Sequence, residues 1–195
     1  MAYKLIALDL DGTLLDEEKR VSRANRAALS RARAEGMRIM VNSGRILPEA
    51  ERCVAGVDSV SLVSACNGAM IRDTVTGEVV FKQSIDRESC VRAIRELKSA
   101  KPFFSVYGEN TVFFLRDTLG RFPMLASFVE GMACPLVVTD DLVAELEAHR
   151  AQPYKIFVMS SYANNIELAV AGFSVAMGNA SPEVRGQGRY LLERR

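Results

Sequence analysis

The chain of 195 residues carries 25 Lys and Arg against 24 Asp and Glu, and 49% of its residues are hydrophobic. Because these charges nearly balance, no overall field favours nucleic acid or an anionic membrane, and an anionic ligand must be attracted by local donors or a metal. The four cysteines form no CxxC pair, the start lacks a signal-peptide pattern, and no apolar run reaches the length of a membrane span, so we expect a soluble, cytoplasmic protein.

Strands and helices are predicted to alternate in the first third of the chain. Apolar runs and helically spaced alanines predict, in order, a strand at 3–8, a helix at 23–35, a strand at 37–41, a helix at about 47–55 and a strand at 60–65. This order predicts an α/β fold, a Rossmann-like parallel sheet with helices on both faces. In such sheets ligands bind beyond the carboxyl ends of the strands.

A different pattern follows from residue 69 onward. Residues 69–82 and 103–116 each predict a hairpin, and a helix is predicted after Asp86. We therefore predict a small α+β cap inserted into the core. The predicted division is core 1–81, cap 82–152 and core 153–195.

The cap carries four phenylalanines in its second predicted hairpin. We expect them to form the cap's own core, with a substrate-facing stripe as the alternative. They are Phe103, Phe104, Phe113 and Phe114.

Two carboxylates stand together where the first predicted strand ends, in the run DLDGT. Asp9 and Asp11 lie on the same side of an extended chain, and such crowding of like charges is relieved by a cation or a shared proton. Mg²⁺ suits the pair because it uses few carboxylates and keeps coordination sites for water and phosphate. A polar strand end leading into a turn is the alternative interpretation of an isolated pair of this kind.

Polar residues also follow the second and third predicted strands. Ser43, Gly44 and Arg45 offer a hydroxyl and successive backbone N–H groups ahead of a helix, which predicts a phosphate-binding turn. A capping serine explains the same residues. Asn67 follows the third strand, where a plain turn is the competing explanation.

Taken together, these motifs resemble those of the haloacid-dehalogenase (HAD) superfamily. The run DLDGTLL directly after a first apolar strand resembles the superfamily signature, and SGR with NGA resembles its Cof-type branch. The segment 171–180, AGFSVAMGNA, preceded by NNIEL, resembles the tail pattern of the same branch. The resemblance covers 3–82 and 153–184 closely and the cap loosely, and it implies a type IIB-like cap.

The resemblance implies a role for each matching residue. Asp9 would attack phosphorus to form an aspartyl-phosphate, while Asp11 would act as general acid toward the leaving group and then as base for water. Both would contact Mg²⁺, Asp11 through its backbone carbonyl. Asn67 would mark the start of the cap linker. The candidate phosphate-binding residues are Ser43, Gly44, Arg45, Asn164 and Lys155.

Parts of the family pattern are altered in this chain. Ser161 and Asn165 stand where the family's GDxxND carries acidic residues, so Mg²⁺ should bind more weakly. Lys155 is the nearby candidate for the family's phosphate-binding lysine, although its PYKI context is typical of the cap's return strand and favours a structural role. The chain is also shorter than the family near 159–164. Either the protein has lost segments there, or these residues are not neighbours in the natural chain.

The sequence therefore predicts a Mg²⁺-dependent phosphatase, a phosphoric monoester hydrolase acting on a small phosphorylated metabolite. The changes at Ser161 and Asn165 motivate the alternative, a catalytically impaired protein that binds a phosphorylated ligand or a partner. A receiver-like phosphoacceptor domain is disfavoured because receivers place the phosphorylated Asp on a later strand. Neither nucleic acid nor membrane is an expected partner, and the sequence identifies neither the substrate nor the oligomeric state.

Overall fold

The computed structural model of the chain describes residues 3–159, 175–177 and 190–192. Its first part comprises β1 (Leu5–Asp9), α1 (Arg23–Ala34), β2 (Arg38–Asn42), α2 (Leu47–Cys53), β3 (Leu62–Ala65), β4 (Met70–Asp73) and β5 (Val79–Lys82). These strands form one sheet in the order β1-β2-β3-β4-β5. The first three strands are parallel, and β4 and β5 continue the sheet in antiparallel pairs.

Burial follows from the position of each strand in this sheet. All four residues of β3 are buried, as expected for an inner strand covered on both faces. Ile39 and Val41 of β2 are fully buried, whereas Leu5 in β1 is 46% exposed because β1 lies at an edge of the described sheet. The predicted α/β fold with a parallel sheet is confirmed.

Local signals explain where the helices begin. The Ser22 hydroxyl accepts a hydrogen bond from the Asn25 amide at 3.1 Å and caps α1. Pro48 lies in the first turn of α2, where a missing N–H costs nothing. Both helices therefore begin within one residue of the predicted positions.

A second sheet is built from residues 103–159. Its order is β8-β7-β6-β9. Strand β6 pairs antiparallel with β7 and β9, and β7 pairs parallel with β8. The elements of this part are α3 (Arg87–Ala100), β6 (Phe103–Tyr107), β7 (Val112–Leu115), α4 (Arg116–Arg121), α5 (Ala126–Glu130), β8 (Leu136–Thr139), α6 (Leu142–Ala148) and β9 (Lys155–Met159).

The four cap phenylalanines point to both faces of the second sheet. Phe104 and Phe113 pack against the apolar side of α3 and α6. Phe103 and Phe114 belong to another cluster, which continues into the first sheet through residues such as Val63. The four rings are therefore core residues, as predicted, but two of them join the cap to the core rather than filling the cap alone.

The second sheet extends beyond the predicted end of the cap at residue 152. Strand β9 pairs with β6 over five positions, from Phe103 opposite Met159 to Tyr107 opposite Lys155. Its pairing partner is thus a cap strand, in keeping with the return strand expected for the PYKI run. The division of the chain into folding units stays a prediction.

Near the end of the chain, β10 (Val175–Met177) pairs in parallel with β11 (Tyr190–Leu192). Among the residues that the structure describes, no helix has the length and apolar character needed to cross a membrane.

Phe103 offers a test of the cluster shared by the two sheets. Its ring is fully buried and lies about 6 Å from the rings of Phe114, Phe122 and Phe157. We expect Phe103→Ala to lower the free energy of unfolding by roughly 3–5 kcal/mol, because it removes the buried ring and leaves a cavity. Phe81→Ala, at a position 47% exposed, should cost less than about 1 kcal/mol. Equal losses in urea unfolding would contradict this assignment.

Candidate functional site

Three parallel strands end side by side at one edge of the first sheet. Asp9 pairs in register with Asn42, and Asn42 pairs with Ser64. The turn after β2 continues the row, because the Ser43 amide donates to the Ser64 carbonyl at 2.9 Å. The candidate nucleophile and the candidate phosphate-binding turn therefore follow neighbouring strand ends.

The chain turns sharply after Asp9. A wide turn over Leu10–Leu14 is closed by the Leu15 amide, which donates to the Leu10 carbonyl at 2.9 Å. Gly12 has φ 75°, a left-handed value that glycine adopts without strain. Asp9 is exposed, and within the described residues its carboxylate makes no hydrogen bond or ion pair. It is thus open to a ligand.

Asp11 is held by two cations. Arg45 donates to both of its carboxylate oxygens at 2.8 Å, a bidentate pair, and Lys19 donates to one of them at 2.9 Å. The Arg45 hydrogen bonds, with a smaller contribution from Lys19, hold the pKa of Asp11 below its ordinary value despite partial burial. Asp11 is therefore an ionised carboxylate at neutral pH in this arrangement.

The turn Ser43–Gly44–Arg45 has each of its three carbonyls bound by a donor. The Asn67 amide donates to the Ser43 carbonyl at 3.0 Å, and the Cys66 amide donates to the Arg45 carbonyl at 2.8 Å. The Gly44 carbonyl accepts from Lys155 Nζ at 2.6 Å. The Ser43 hydroxyl, 6% exposed, accepts from the Arg45 amide at 3.1 Å. Among the described residues, the Gly44 N–H and the Ser43 O–H are the groups of this turn that remain to donate to an anion.

Cys66 and Asn67 both adopt left-handed backbone conformations, with φ 51° and 59°. Such φ angles are unfavourable for residues with a side chain. Here the hydrogen bonds that the two backbone amides donate to the 43–45 turn stabilise this conformation. A Cβ on Gly44 would lie 2.8 Å from the Asn67 side-chain oxygen, so a larger residue there would require the Asn67 side chain to move. Burial raises the pKa of Cys66 to about 11, which keeps its thiol neutral and a poor nucleophile.

Lys155 reaches this turn from β9 of the second sheet. Besides its bond to Gly44, its ammonium lies 4.7 Å from the centre of the Tyr107 ring and 5.6 Å from that of Phe157. Burial lowers the pKa of Lys155, and among the described residues no carboxylate lies within ion-pair distance of it. Lys155 is therefore a half-buried cation supported by a carbonyl and two aromatic faces.

The structure places most of the sequence-predicted residues in two sets of contacts. Asp11 and Arg45 form an ion pair, and Ser43, Gly44, Asn67 and Lys155 share one set of contacts. Asn164, together with Ser161 and Asn165, lies outside the described residues. Sequence reasoning missed Lys19, whose only signal was a polar turn, and Tyr107, which was hidden in an apolar strand.

The oxygen donors near Asp9 suit a hard divalent cation. Mg²⁺ is commonly bound through one or two carboxylates, with water and substrate phosphate completing the coordination. Asp9 offers a carboxylate without a partner among the described residues, and the chain turns back immediately after it. No group of three metal-ligating side chains occurs within the described residues. The Asp9 carboxylate therefore fits a divalent cation as one ligand.

A cavity of about 460 Å³ lies elsewhere, between the end of α2 and the β4–β5 turn. Its lining includes Val57, which precedes β3, and Asp73, which ends β4. These residues lie at the amino end of β3, opposite the strand ends that carry Ser43. The cavity is thus separate from the candidate site.

Comparisons with known proteins agree on one family. A family model described as haloacid dehalogenase-like hydrolase matches residues 6–165. The putative phosphatase YxeH of Bacillus subtilis (strain 168) is 38% identical over 108 residues, covering 52% of this chain and 40% of that protein. The chain therefore spans less than half the length of this curated relative.

Solved structures share the fold. A haloacid dehalogenase-like hydrolase from Bacteroides thetaiotaomicron has a TM-score of 0.59 at 19% sequence identity, covering 98% of this chain and 94% of that one. A HAD subclass IIB sugar phosphatase has a TM-score of 0.57 at 18% identity, with coverage of 98% and 94%.

The Asp11–Arg45 pair predicts a pH effect on stability. Because the pKa of Asp11 is lower in the folded state than its ordinary value of about 4, the pair stabilises the fold above that pH and loses its contribution as pH falls further. Asp11 is 42% exposed, so the contribution is less than about 1 kcal/mol. In Arg45→Met the Asp11 pKa, followed by carboxyl NMR, should rise toward the ordinary value. Arg20→Met, a change at an exposed arginine, should leave it unchanged; an unmoved pKa in Arg45→Met would refute the pairing.

Proposed function

This chain belongs to the haloacid dehalogenase-like hydrolase family, in its Cof-type branch, and on that premise we propose that it hydrolyses a small phosphate monoester. The observation that carries the proposal is the row of strand ends at which Asp9 and the Ser43 turn are neighbours. A nucleophilic carboxylate beside an anion-binding turn is what transfer of a phosphoryl group to an enzyme side chain requires. The phosphatase name of the Bacillus relative supports the same reaction class.

Asp9 is the proposed nucleophile. One of its carboxylate oxygens attacks phosphorus, the bond from phosphorus to the leaving alkoxide breaks, and an aspartyl-phosphate forms. A water molecule then attacks the same phosphorus, which releases inorganic phosphate and regenerates the Asp9 carboxylate. The exposure of Asp9 and its lack of partners among the described residues support this role.

Asp11 is the proposed acid and base. As acid it donates a proton to the leaving oxygen, and as base it accepts one from the attacking water. The base role suits the ionised carboxylate that Arg45 and Lys19 stabilise. The acid role requires a raised Asp11 pKa, so the Arg45 bonds have to loosen when an incoming phosphoryl group competes for the guanidinium.

The Ser43 turn is the proposed binding site for the phosphoryl oxygens. The Ser43 hydroxyl and the Gly44 amide have no acceptor among the described residues, and Arg45 adds a guanidinium close by. Asn164 is carried over from the family pattern as a further contact. Donors fixed in advance stabilise charge on the transferring group without reorganisation.

Mg²⁺ is the proposed cofactor. The Asp9 carboxylate and the Asp11 backbone carbonyl would hold it, and the ion would neutralise charge on the phosphoryl oxygens. The substrate is proposed to be a small phosphorylated metabolite whose leaving group contacts the predicted cap. Neither nucleic acid nor a membrane is proposed as a partner.

Replacement of the nucleophile tests the proposal directly. Asp9→Asn should lower hydrolysis of p-nitrophenyl phosphate with Mg²⁺ by at least roughly 10³-fold, because the amide cannot form the intermediate. Asp140→Asn makes the same chemical change at a carboxylate whose side chain is 80% exposed and should retain activity. Acid-quenched wild type should carry label from ³²P-labelled substrate, and Asp9→Asn should not.

The proposal would be contradicted if wild-type protein bound inorganic phosphate but hydrolysed no ester, and if Asp9→Asn left both measurements unchanged. Phosphate binding that is insensitive to Mg²⁺ and to chelators would then favour the non-catalytic binding protein.

Removal of the metal provides a second measurement. We expect EDTA to abolish hydrolysis and added Mg²⁺ to restore it, because the proposed ion neutralises charge on the phosphoryl oxygens. Full activity after exhaustive chelation would contradict the proposed cofactor.

A further inference from the structure

Lys155 belongs to β9 of the second sheet, yet its charged end contacts a turn of the first sheet. Its Nζ donates to the Gly44 carbonyl at 2.6 Å, across 111 positions of sequence. In β9 it pairs with Tyr107 of β6, whose ring lies under the ammonium. This half-buried, hydrogen-bonded cation is directed at a single peptide group of the 43–45 turn.

That peptide group has two ends. Its carbonyl, on Gly44, accepts from Lys155, and its N–H, on Arg45, donates to the Ser43 hydroxyl oxygen at 3.1 Å. A cation bonded to the oxygen of a peptide fixes the peptide plane and strengthens its N–H as a donor. The orientation of the Ser43 hydroxyl therefore depends on the hydrogen bond that Lys155 of β9 donates to the Gly44 carbonyl.

The Ser43 hydroxyl has one further bond to make. Its oxygen already accepts from the Arg45 amide, so its hydrogen is free to point at another acceptor. Ser43 is 6% exposed, and no acceptor among the described residues takes this hydrogen. A hydroxyl held in this way is preset to donate to an oxygen of an incoming anion.

We propose that Lys155 is a positioning residue for the phosphate site, acting through the Gly44–Arg45 peptide on the Ser43 hydroxyl. The inference rests on the proposed function, since it assigns a phosphoryl oxygen as the acceptor of that hydroxyl. It differs from a direct role, in which the ammonium itself contacts the phosphoryl group. Because Lys155 stands on β9, the second sheet contributes a residue to the organisation of this turn.

Neighbouring contacts support a fixed position for Lys155. Asn67 and Lys155 both lie close to Gly44, since a Cβ there would be 2.8 Å from Asn67 Oδ1 and 3.4 Å from Lys155 Nζ. Tyr107 is 4% exposed, and burial raises its pKa to about 12, so it stays a neutral ring beneath the cation. The ammonium is thus confined on several sides.

A double-mutant cycle on inorganic phosphate binding separates the two roles. In the presence of Mg²⁺, Lys155→Met should raise the Kd for inorganic phosphate by roughly five- to tenfold, and Ser43→Ala by a similar factor. If Lys155 acts through Ser43, adding Lys155→Met to Ser43→Ala should change the Kd by less than about twofold. Effects that multiply would show direct contact and overturn the proposal.

The controls address folding and charge. Met is an unbranched apolar side chain that removes the charge and the donor, and Lys155→Arg keeps a donor for the Gly44 carbonyl and should restore part of the affinity. Lys98→Met removes the same charge from an exposed cap position and should leave the Kd within about twofold of wild type. The Arg45 amide proton shift should move in Lys155→Met but not in Lys98→Met; an unmoved shift would overturn the proposal.

The same experiment distinguishes a failure of this inference from a failure of the proposed function. Wild-type protein that binds no inorganic phosphate and hydrolyses no ester would overturn both. Wild type that binds phosphate and hydrolyses p-nitrophenyl phosphate, with an unchanged Kd in Lys155→Met, would overturn the positioning role alone.

Discussion

The parallel register of β1, β2 and β3 is the constraint on which the candidate site depends. Because Asp9, Asn42 and Ser64 pair in one row, the segments that follow these strands must share one edge of the sheet. The buried residues of β2 and β3 fix that register, since a slip of one residue would turn Val41 and Val63 away from their core positions. Apolar packing thus places the polar groups of the site at one edge of the sheet.

Ion pairs then orient the side chains that lie at this edge of the sheet. The chain has almost no net charge, but three charged groups meet where the turn after β1 faces the turn after β2. Arg45 and Lys19 both bind Asp11, while Asp9, two residues earlier, has no such partner among the described residues. The two carboxylates of one short motif therefore have different environments, which is how similar side chains acquire different chemical roles.

Much of this arrangement could be predicted from the sequence, because apolar runs and turn residues report on neighbours along the chain. The strands around Asp9 and Ser43 were predicted on that basis and are present. Contacts between distant residues leave no such signal: Lys19 lies in a polar turn, and nothing near Lys155 indicates Gly44 as its acceptor. Strand β8 was missed because its residues do not alternate clearly between buried and exposed positions.

The two sheets are joined by two kinds of interaction with different consequences. The apolar cluster containing Phe103 and Phe114 continues into the first sheet, and such packing resists separation but tolerates small shifts. Hydrogen bonds are directional, and two of them cross the same junction: Glu49, 7% exposed, accepts from the Ala133 amide, and Lys155 donates to Gly44. These two bonds therefore fix where the second sheet lies relative to the turn that follows β2.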